Sequence, residues 1–118
     1  MKKNIKVTVI NDCEKIEFIT SAIYTNDYSE IKYIDNDEMN TIVKYNFTSN
    51  KFTRINNNLK LEYEFNENNK TTGIIDVKDI SKFIEVEIKT NKLIQEKGNL
   101  DIEYLVENQK IIYKIEVI

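Results

Sequence analysis

The sequence predicts an all-β fold, a small antiparallel meander β-barrel of about 8–10 strands, and three observations support this prediction. Short runs alternate between apolar and polar side chains, as in strands with one face on a core. Turn-forming residues separate these runs at intervals of roughly 8–12 residues, the spacing of a sandwich or barrel. No stretch keeps an apolar i, i+3, i+4, i+7 pattern for long enough to predict a helix. A meander leaves two exposed edges unless it closes, so a barrel is favoured over a sandwich.

Ten alternating runs account for most of the chain. In order, they are 4–10 (with Ile5, Val7 and Val9 on one face), 14–24 (Ile16, Phe18, Ala22 and Tyr24), 29–35 (Ile31 and Tyr33), 41–47 (Val43, Tyr45 and Phe47), 51–55, 59–65 (Leu61, Tyr63 and Phe65), 71–77, 82–90 (Ile84, Val86 and Ile88), 98–106 (Leu100, Ile102 and Tyr104) and 109–118 (Ile111, Tyr113 and Ile115).

Three segments carry further expectations. Ile19 and Ile23 lie on the other face of the second strand, so part of that strand is expected to be covered on both sides. Residues 91–97 are expected to connect strands 82–90 and 98–106 as a hairpin loop. Residues 79–81 are expected to form a bend or a helical turn, and 56–58 a tight turn in which asparagine adopts positive φ in place of glycine.

Composition limits the class of protein and its partners. The 118 residues fit one domain, 1–118, and the net charge of -3 is spread along the chain without a basic stripe, so nucleic acid is not expected as a partner. The N-terminal stretch has no continuous apolar segment, and no run approaches the roughly 20 apolar residues that span a bilayer, so no membrane is expected. A single cysteine, Cys13, agrees with a reducing compartment. These features favour a cytoplasmic protein.

Chemistry-bearing residues are few, and this disfavours an enzyme. The chain has no histidine, one cysteine and no phosphate-binding glycine motif, so no catalytic residue, metal site or cofactor is predicted. An enzyme would depend on Asp, Glu, Lys, Tyr, Arg or Cys13, and this alternative stays open. Asp35, Asp37 and Glu38 could offer oxygen ligands to Ca²⁺, but a solvated turn is favoured because the EF-hand spacing is missing.

Several segments, in their order along the chain, resemble the YwiB-like family of bacterial proteins, which have a calycin-type (lipocalin-like) β-barrel. The matching segments are Ile16-Glu17-Phe18 with Thr20 to Tyr24, Tyr33 with Asp35, Thr41-Ile42-Val43-Lys44, Arg54, Lys89-Thr90, and Glu96-Lys97-Gly98 followed by Ile102 and Tyr104. Where the family tends to have glycine, this chain has Ala22, Asn56 and Ile84, and Ile84 makes the local curvature and register harder to predict. The resemblance implies a barrel, and it implies no activity because the family's function is unassigned.

Five residues are the candidate ligand-binding set. Arg54 is the only arginine, beside sixteen lysines (17 Lys+Arg less one). A single arginine in so lysine-rich a chain suggests a planar contact that lysine cannot make. This contact is either a structural salt bridge at a barrel end or the binding of an anion at the mouth of the barrel. The others are the strand tyrosines Tyr33, Tyr45, Tyr63 and Tyr104. Inward-facing tyrosines are either core or the lining of a cavity for a small apolar or amphipathic ligand. Three functions therefore remain: a ligand-binding barrel, which is favoured; a solid barrel that binds proteins through its outer face, a homodimer included; or a histidine-free enzyme that uses Arg54 with a carboxylate.

Overall fold

The computed structural model describes residues 1–118, which form ten antiparallel strands and one short 3₁₀ helix. In chain order, strands β1 to β10 are Lys2–Ile10, Lys15–Tyr24, Glu30–Ile34, Ile42–Asn46, Lys51–Ile55, Leu59–Glu64, Thr71–Val77, Lys82–Glu96, Asn99–Val106 and Gln109–Val117. The helix, Lys78–Ile80, occupies the segment between β7 and β8 where a bend or helical turn is predicted.

The strands form a closed up-and-down barrel. Each strand pairs with its neighbours in sequence, and β10 pairs with β1 from Ile5↔Val117 to Ile10↔Ile112. First and last strands of a meander run antiparallel only when the strand number is even, and ten satisfies this condition. Closure satisfies the backbone groups at both edges, which an open meander would expose. The predicted small antiparallel barrel is confirmed.

The connection between β8 and β9 differs from the predicted loop 91–97. Strand β8 continues through this segment to Glu96, and a two-residue turn of Lys97 and Gly98 joins it to β9. Both turn residues have positive φ, +45° and +85°, as in the hairpin turns whose twist matches that of the strands. The prediction was wrong because a β-bulge between Thr90 and Lys92 shifts the inward positions from even to odd numbers, which breaks the apparent alternation.

Other details also differ from the predictions. Asn56 makes its tight turn through its side chain, whose Oδ1 accepts the backbone N–H of Asn58 (2.8 Å) and of Leu59 (3.0 Å), and residues 56–58 have no positive φ. Ile84 pairs with Ile75 in regular register. Ile19 and Ile23 are 68% and 63% exposed, so nothing within the chain covers the outer face of β2.

Side chains fill one end of the barrel completely. We call this end, which carries the turns 25–29 and 97–98, the filled end. We call the opposite end of the barrel, which carries the loops 35–41 and 56–58, the Arg54 end. The Tyr24 hydroxyl closes the filled end by donating to the Gly98 carbonyl at 2.7 Å. The largest fully buried side chains are Tyr24, Tyr45, Ile5, Ile31, Ile88, Leu100, Ile102 and Ile115. The Arg54 end is looser, since the strand-end residues Ile16 and Ile84, predicted to face inward, are exposed there.

Candidate functional site

A cavity of about 190 Å³ lies inside the barrel at the Arg54 end. Its lining residues are Val9, Tyr33, Asp35, Val43, Phe52, Arg54, Leu61, Tyr63, Tyr104, Ile111 and Tyr113. Larger depressions of about 370 and 410 Å³ are lined mainly by polar and charged residues such as Glu87, Asp101 and Lys114. Only the interior cavity combines a mainly apolar wall with a few converging polar groups, the usual character of small-molecule sites.

Strand register brings the cavity's side chains together. Tyr33 on β3 pairs with Val43 on β4, Val43 pairs with Arg54 on β5, and Arg54 pairs with Leu61 on β6. Directly paired residues point to the same face of a sheet, so this row projects into the barrel. On the far wall, closure of the barrel pairs Val9 with Tyr113, which places Tyr113 opposite the row.

Arg54 is held by two carboxylates of the loop 35–41. Its Nη2 bonds Asp35 Oδ2 and lies 3.7 Å from Asp37 Oδ2. Asp37 is fixed in turn by Thr41, whose hydroxyl donates to Asp37 Oδ2 at 2.5 Å and whose backbone N–H donates to Oδ1 at 3.1 Å. The Thr41 hydroxyl is the main reason that the pKa of Asp37 lies below its usual value. The loop carboxylates therefore organise Arg54, and no group of three or more Asp, Glu or Cys side chains is placed to hold a metal ion.

The tyrosine hydroxyls in the cavity fall into two pairs. The hydroxyls of Tyr33 and Tyr113 hydrogen-bond each other. Those of Tyr63 and Tyr104 have no hydrogen-bond partner in the chain, and their rings meet edge to face with centroids 6.2 Å apart. Burial raises the pKa of all four phenols, and the nearby Arg54 charge partly opposes the rise for Tyr33, Tyr63 and Tyr104. Tyr63 and Tyr104 can thus offer neutral hydroxyls to a bound molecule.

Of the five candidate residues, the structure brings four to the cavity. Arg54, Tyr33, Tyr63 and Tyr104 line it, whereas Tyr45 lies apart, fully buried against Phe47 at a centroid distance of 5.0 Å. Tyr45 pairs with Phe52 toward the filled end, two residues along β4 from the row that contains Val43. Its hydroxyl is buried without a hydrogen-bond partner. Tyr45 is therefore a core residue and does not contribute to the cavity.

The candidate set omits Tyr113 and Phe52, which also line the cavity. Tyr113 shows the same inward alternation as Ile111 and Ile115, so its face could be predicted. Its contact with Tyr33, 80 residues away, depends on closure of the barrel. Phe52 packs on Tyr113 with ring centroids 5.1 Å apart and forms part of the cavity floor.

Asp35 and Arg54 are the two charged residues that line the cavity and their charges balance, whereas Asp37 lies 3.7 Å from Arg54 outside the lining. Asp35 and Arg54 form an ion pair, and Arg54 Nε is buried without a hydrogen-bond partner. A bound anion would compete with Asp35 for Arg54, and a bound cation would meet the Arg54 charge. The arrangement suits a molecule without net charge that has an apolar body and a group able to hydrogen-bond the phenols.

The fold is similar to a solved bacterial structure. The crystal structure of the ywiB protein from Bacillus subtilis matches with a TM-score of 0.63 over 98% of this chain and 89% of that chain, at 16% sequence identity. At this identity the likeness shows a shared YwiB-like barrel fold. No protein-family model and no curated protein matches the chain. None of the chain's helices has the length and apolar character needed to cross a membrane.

Proposed function

We propose that the chain is a binding module that holds a small, uncharged, largely apolar molecule at the Arg54 end of its barrel. The observation that carries this proposal is the interior cavity of about 190 Å³ in which the hydroxyls of Tyr63 and Tyr104 have no partner in the chain. Both hydroxyls open onto the cavity and are reached by solvent, so these two phenols beside an apolar wall are free to hydrogen-bond a ligand with a matching polar group.

The size of the cavity limits the ligand. Its 190 Å³ equals the liquid volume of about six water molecules at roughly 30 Å³ each. Pockets for drug-sized molecules occupy about 300–1,000 Å³, so the ligand is smaller, of the order of a single substituted aromatic ring. The aromatic walls formed by Phe52, Tyr63 and Tyr104 suit the edge-to-face contacts of such a ring.

We also propose that the chain belongs to the YwiB-like family, that its barrel is of the calycin type, and that it is cytoplasmic. The order of the matching segments and the shared fold support the first two proposals, and the single exposed Cys13 supports the third. The cavity supports ligand binding independently of the analogy with other barrels of this type.

Native mass spectrometry and NMR titration test the binding proposal. We expect a reproducible mass adduct on the purified protein that is lost on denaturation. In ¹⁵N-labelled protein, benzyl alcohol is expected to shift resonances around Tyr63, Tyr104 and Leu61, whereas benzoate and benzylamine at the same concentration are not. Equal shifts from all three compounds, or none with benzyl alcohol and no adduct, would overturn the proposal.

A cavity-filling variant provides the matched control. Leu61→Trp places a bulky side chain in the cavity and is expected to abolish the benzyl alcohol shifts, with Ile111→Phe as a second variant of the same kind. Ile74→Trp makes a similar change at an exposed position outside the cavity and is expected to leave binding intact. Unchanged binding in both cavity variants would place the bound molecule elsewhere.

A further inference from the structure

Five isoleucines form an apolar patch on the outer surface of the barrel, which we call the isoleucine face. Its members, all on strands β2 to β5, are Ile19, Ile23, Ile34, Ile42 and Ile55. Ile34 pairs with Ile42, and Ile42 pairs with Ile55, so the three form one continuous row across the sheet. Ile19, Ile23 and Ile34 are 68%, 63% and 55% exposed. Ile42 and Ile55 are partly exposed, and Ile23 lies opposite Lys32, so the face is a cluster of apolar side chains beside lysine. Clustered apolar side chains mark an interaction surface more often than scattered ones do.

Two lysines lie within the isoleucine face and lack partners. Lys32 and Lys44 stand directly opposite each other on β3 and β4, and Lys32 is also opposite Ile23. Neither has an acidic partner within ion-pair distance, although the chain's other outer faces contain several ion pairs, such as Lys6 with Glu17 at 2.7 Å. Like charges directly opposite on a sheet destabilise it, so this pair favours a partner that carries carboxylates.

A second outer face of the same chain offers the complementary chemistry, and we call it the acidic face. On strands β6 to β8, Ile74 stands between Glu62 and Glu85, and Asp76 stands opposite Phe83. Phe83 is 69% exposed. Lys60 lies directly opposite Asp76 but forms its ion pair with Glu62 at 3.1 Å, so Asp76 and Glu85 have no ion-pair partner, as Lys32 and Lys44 have none. Each face therefore combines apolar side chains with two unpaired charges, and the charges have opposite signs.

We propose that the isoleucine face of one copy packs on the acidic face of a second copy. Sheets pack face to face about 10 Å apart, which brings the lysines of one copy within reach of the carboxylates of the other. Pairing the isoleucine face with itself would instead gather four lysines at the contact. Electrostatic complementarity of this kind selects the partner and its register more than it adds affinity.

The position of the two faces determines the kind of assembly. Their centres lie three to four strands apart around the ten-stranded barrel, so after the first contact one copy still has a free isoleucine face and the other a free acidic face. A contact between two different patches is heterologous and produces chains or rings of copies. The exposed apolar side chains provide less area than the roughly 800 Å² per partner of a standard interface. The association is therefore expected to be weak and dependent on concentration and salt.

Sedimentation velocity over a concentration series tests this proposal with two variants. The isoleucine-face variant is Ile34→Thr with Lys44→Glu, and the acidic-face variant is Phe83→Thr with Glu85→Lys. Wild-type protein is expected to sediment faster as concentration rises and to lose this behaviour at high salt. Each variant alone is expected to remain monomeric, and an equimolar mixture is expected to form a dimer, because it retains one intact face of each kind.

The control variant Ile94→Thr with Lys114→Glu makes the same two residue changes outside both faces and is expected to associate like the wild type. Circular dichroism and thermal unfolding establish that each variant is folded, and Lys44→Glu alone serves if the double variant is not. Wild-type protein that stays monomeric at all concentrations would overturn the proposal. So would association that survives in the acidic-face variant, since it would show pairing of the isoleucine face with itself.

Discussion

The hydrogen bond between Tyr33 and Tyr113 joins opposite walls of the barrel interior, and its contribution to stability can be measured by removing either hydroxyl. The two side chains are 4% and 6% exposed, and each hydroxyl has the other as its only hydrogen-bond partner in the chain. Tyr113→Phe removes one hydroxyl and leaves the other buried without a partner. Tyr33→Phe does the same from the other side, whereas the double variant removes both polar groups and keeps both rings.

The expected magnitudes follow from this geometry. An unsatisfied buried hydroxyl costs about 1–3 kcal/mol, whereas replacing both partners by apolar groups of the same shape is nearly neutral. Each single variant should therefore lower the free energy of unfolding by about 1.5 kcal/mol, and the double variant by no more than either single one. With about 2.1 cal/mol/K of unfolding entropy per residue, 118 residues convert 1 kcal/mol into a shift of roughly 4 °C in Tm. Each single variant should then melt about 6 °C below the wild type.

Urea denaturation of the wild type, both single variants and the double variant measures the coupling free energy as a double-mutant cycle. Tyr28→Phe is the control, because the Tyr28 ring packs on Tyr24 and its hydroxyl makes no hydrogen bond in the chain. We expect a coupling of about 1.5–3 kcal/mol between positions 33 and 113. If the effects of the single variants add to within about 0.5 kcal/mol in the double variant, the hydroxyls do not depend on each other and the reasoning is refuted.

Three further predictions concern the residues around the cavity. Gly73→Ala should destabilise the protein by about 1–3 kcal/mol, because the Cβ of the alanine would lie 2.5 Å from Tyr63 Cδ1 and 2.8 Å from Ile88 Cδ1. Urea denaturation measures this loss, with Thr72→Ala as the control, and an unchanged stability would contradict the prediction. Arg54→Lys should lower stability by about 1 kcal/mol through loss of the planar contact with Asp35, with Lys51→Ala as the neutral reference. Burial raises the pKa of six tyrosines above the ordinary value of about 10: Tyr24, Tyr33, Tyr45, Tyr63, Tyr104 and Tyr113. The folded state therefore favours their neutral forms, and this contribution to stability is complete below about pH 10 and decreases as the pH rises further. Tyrosinate absorbance from these residues should therefore appear together with the loss of β-sheet circular dichroism, and tyrosinate formation in the folded protein would contradict the prediction.

Local patterns in the sequence determined the architecture. Strict alternation, as in Leu59 to Glu64, marks a strand with one buried face, and turn residues mark where each strand ends. Because the connections are short, consecutive strands must pair with each other, and the order of the sheet follows. The pattern failed at β8, where the bulge after Thr90 reverses the alternation, since a period of two carries no information about an inserted residue.

The position of each side chain along and across the barrel was decided by the tertiary structure. Alternation predicts that Tyr45 and Tyr63 both face inward, but strand register places Tyr45 in the filled end and Tyr63 beside the cavity. The contact of Tyr33 with Tyr113 likewise needs the pairing of β1 with β10, which joins the two ends of the chain. A strand's sequence sets which face a residue occupies, whereas register and closure depend on partners far away in the chain, and these set its neighbours across the barrel.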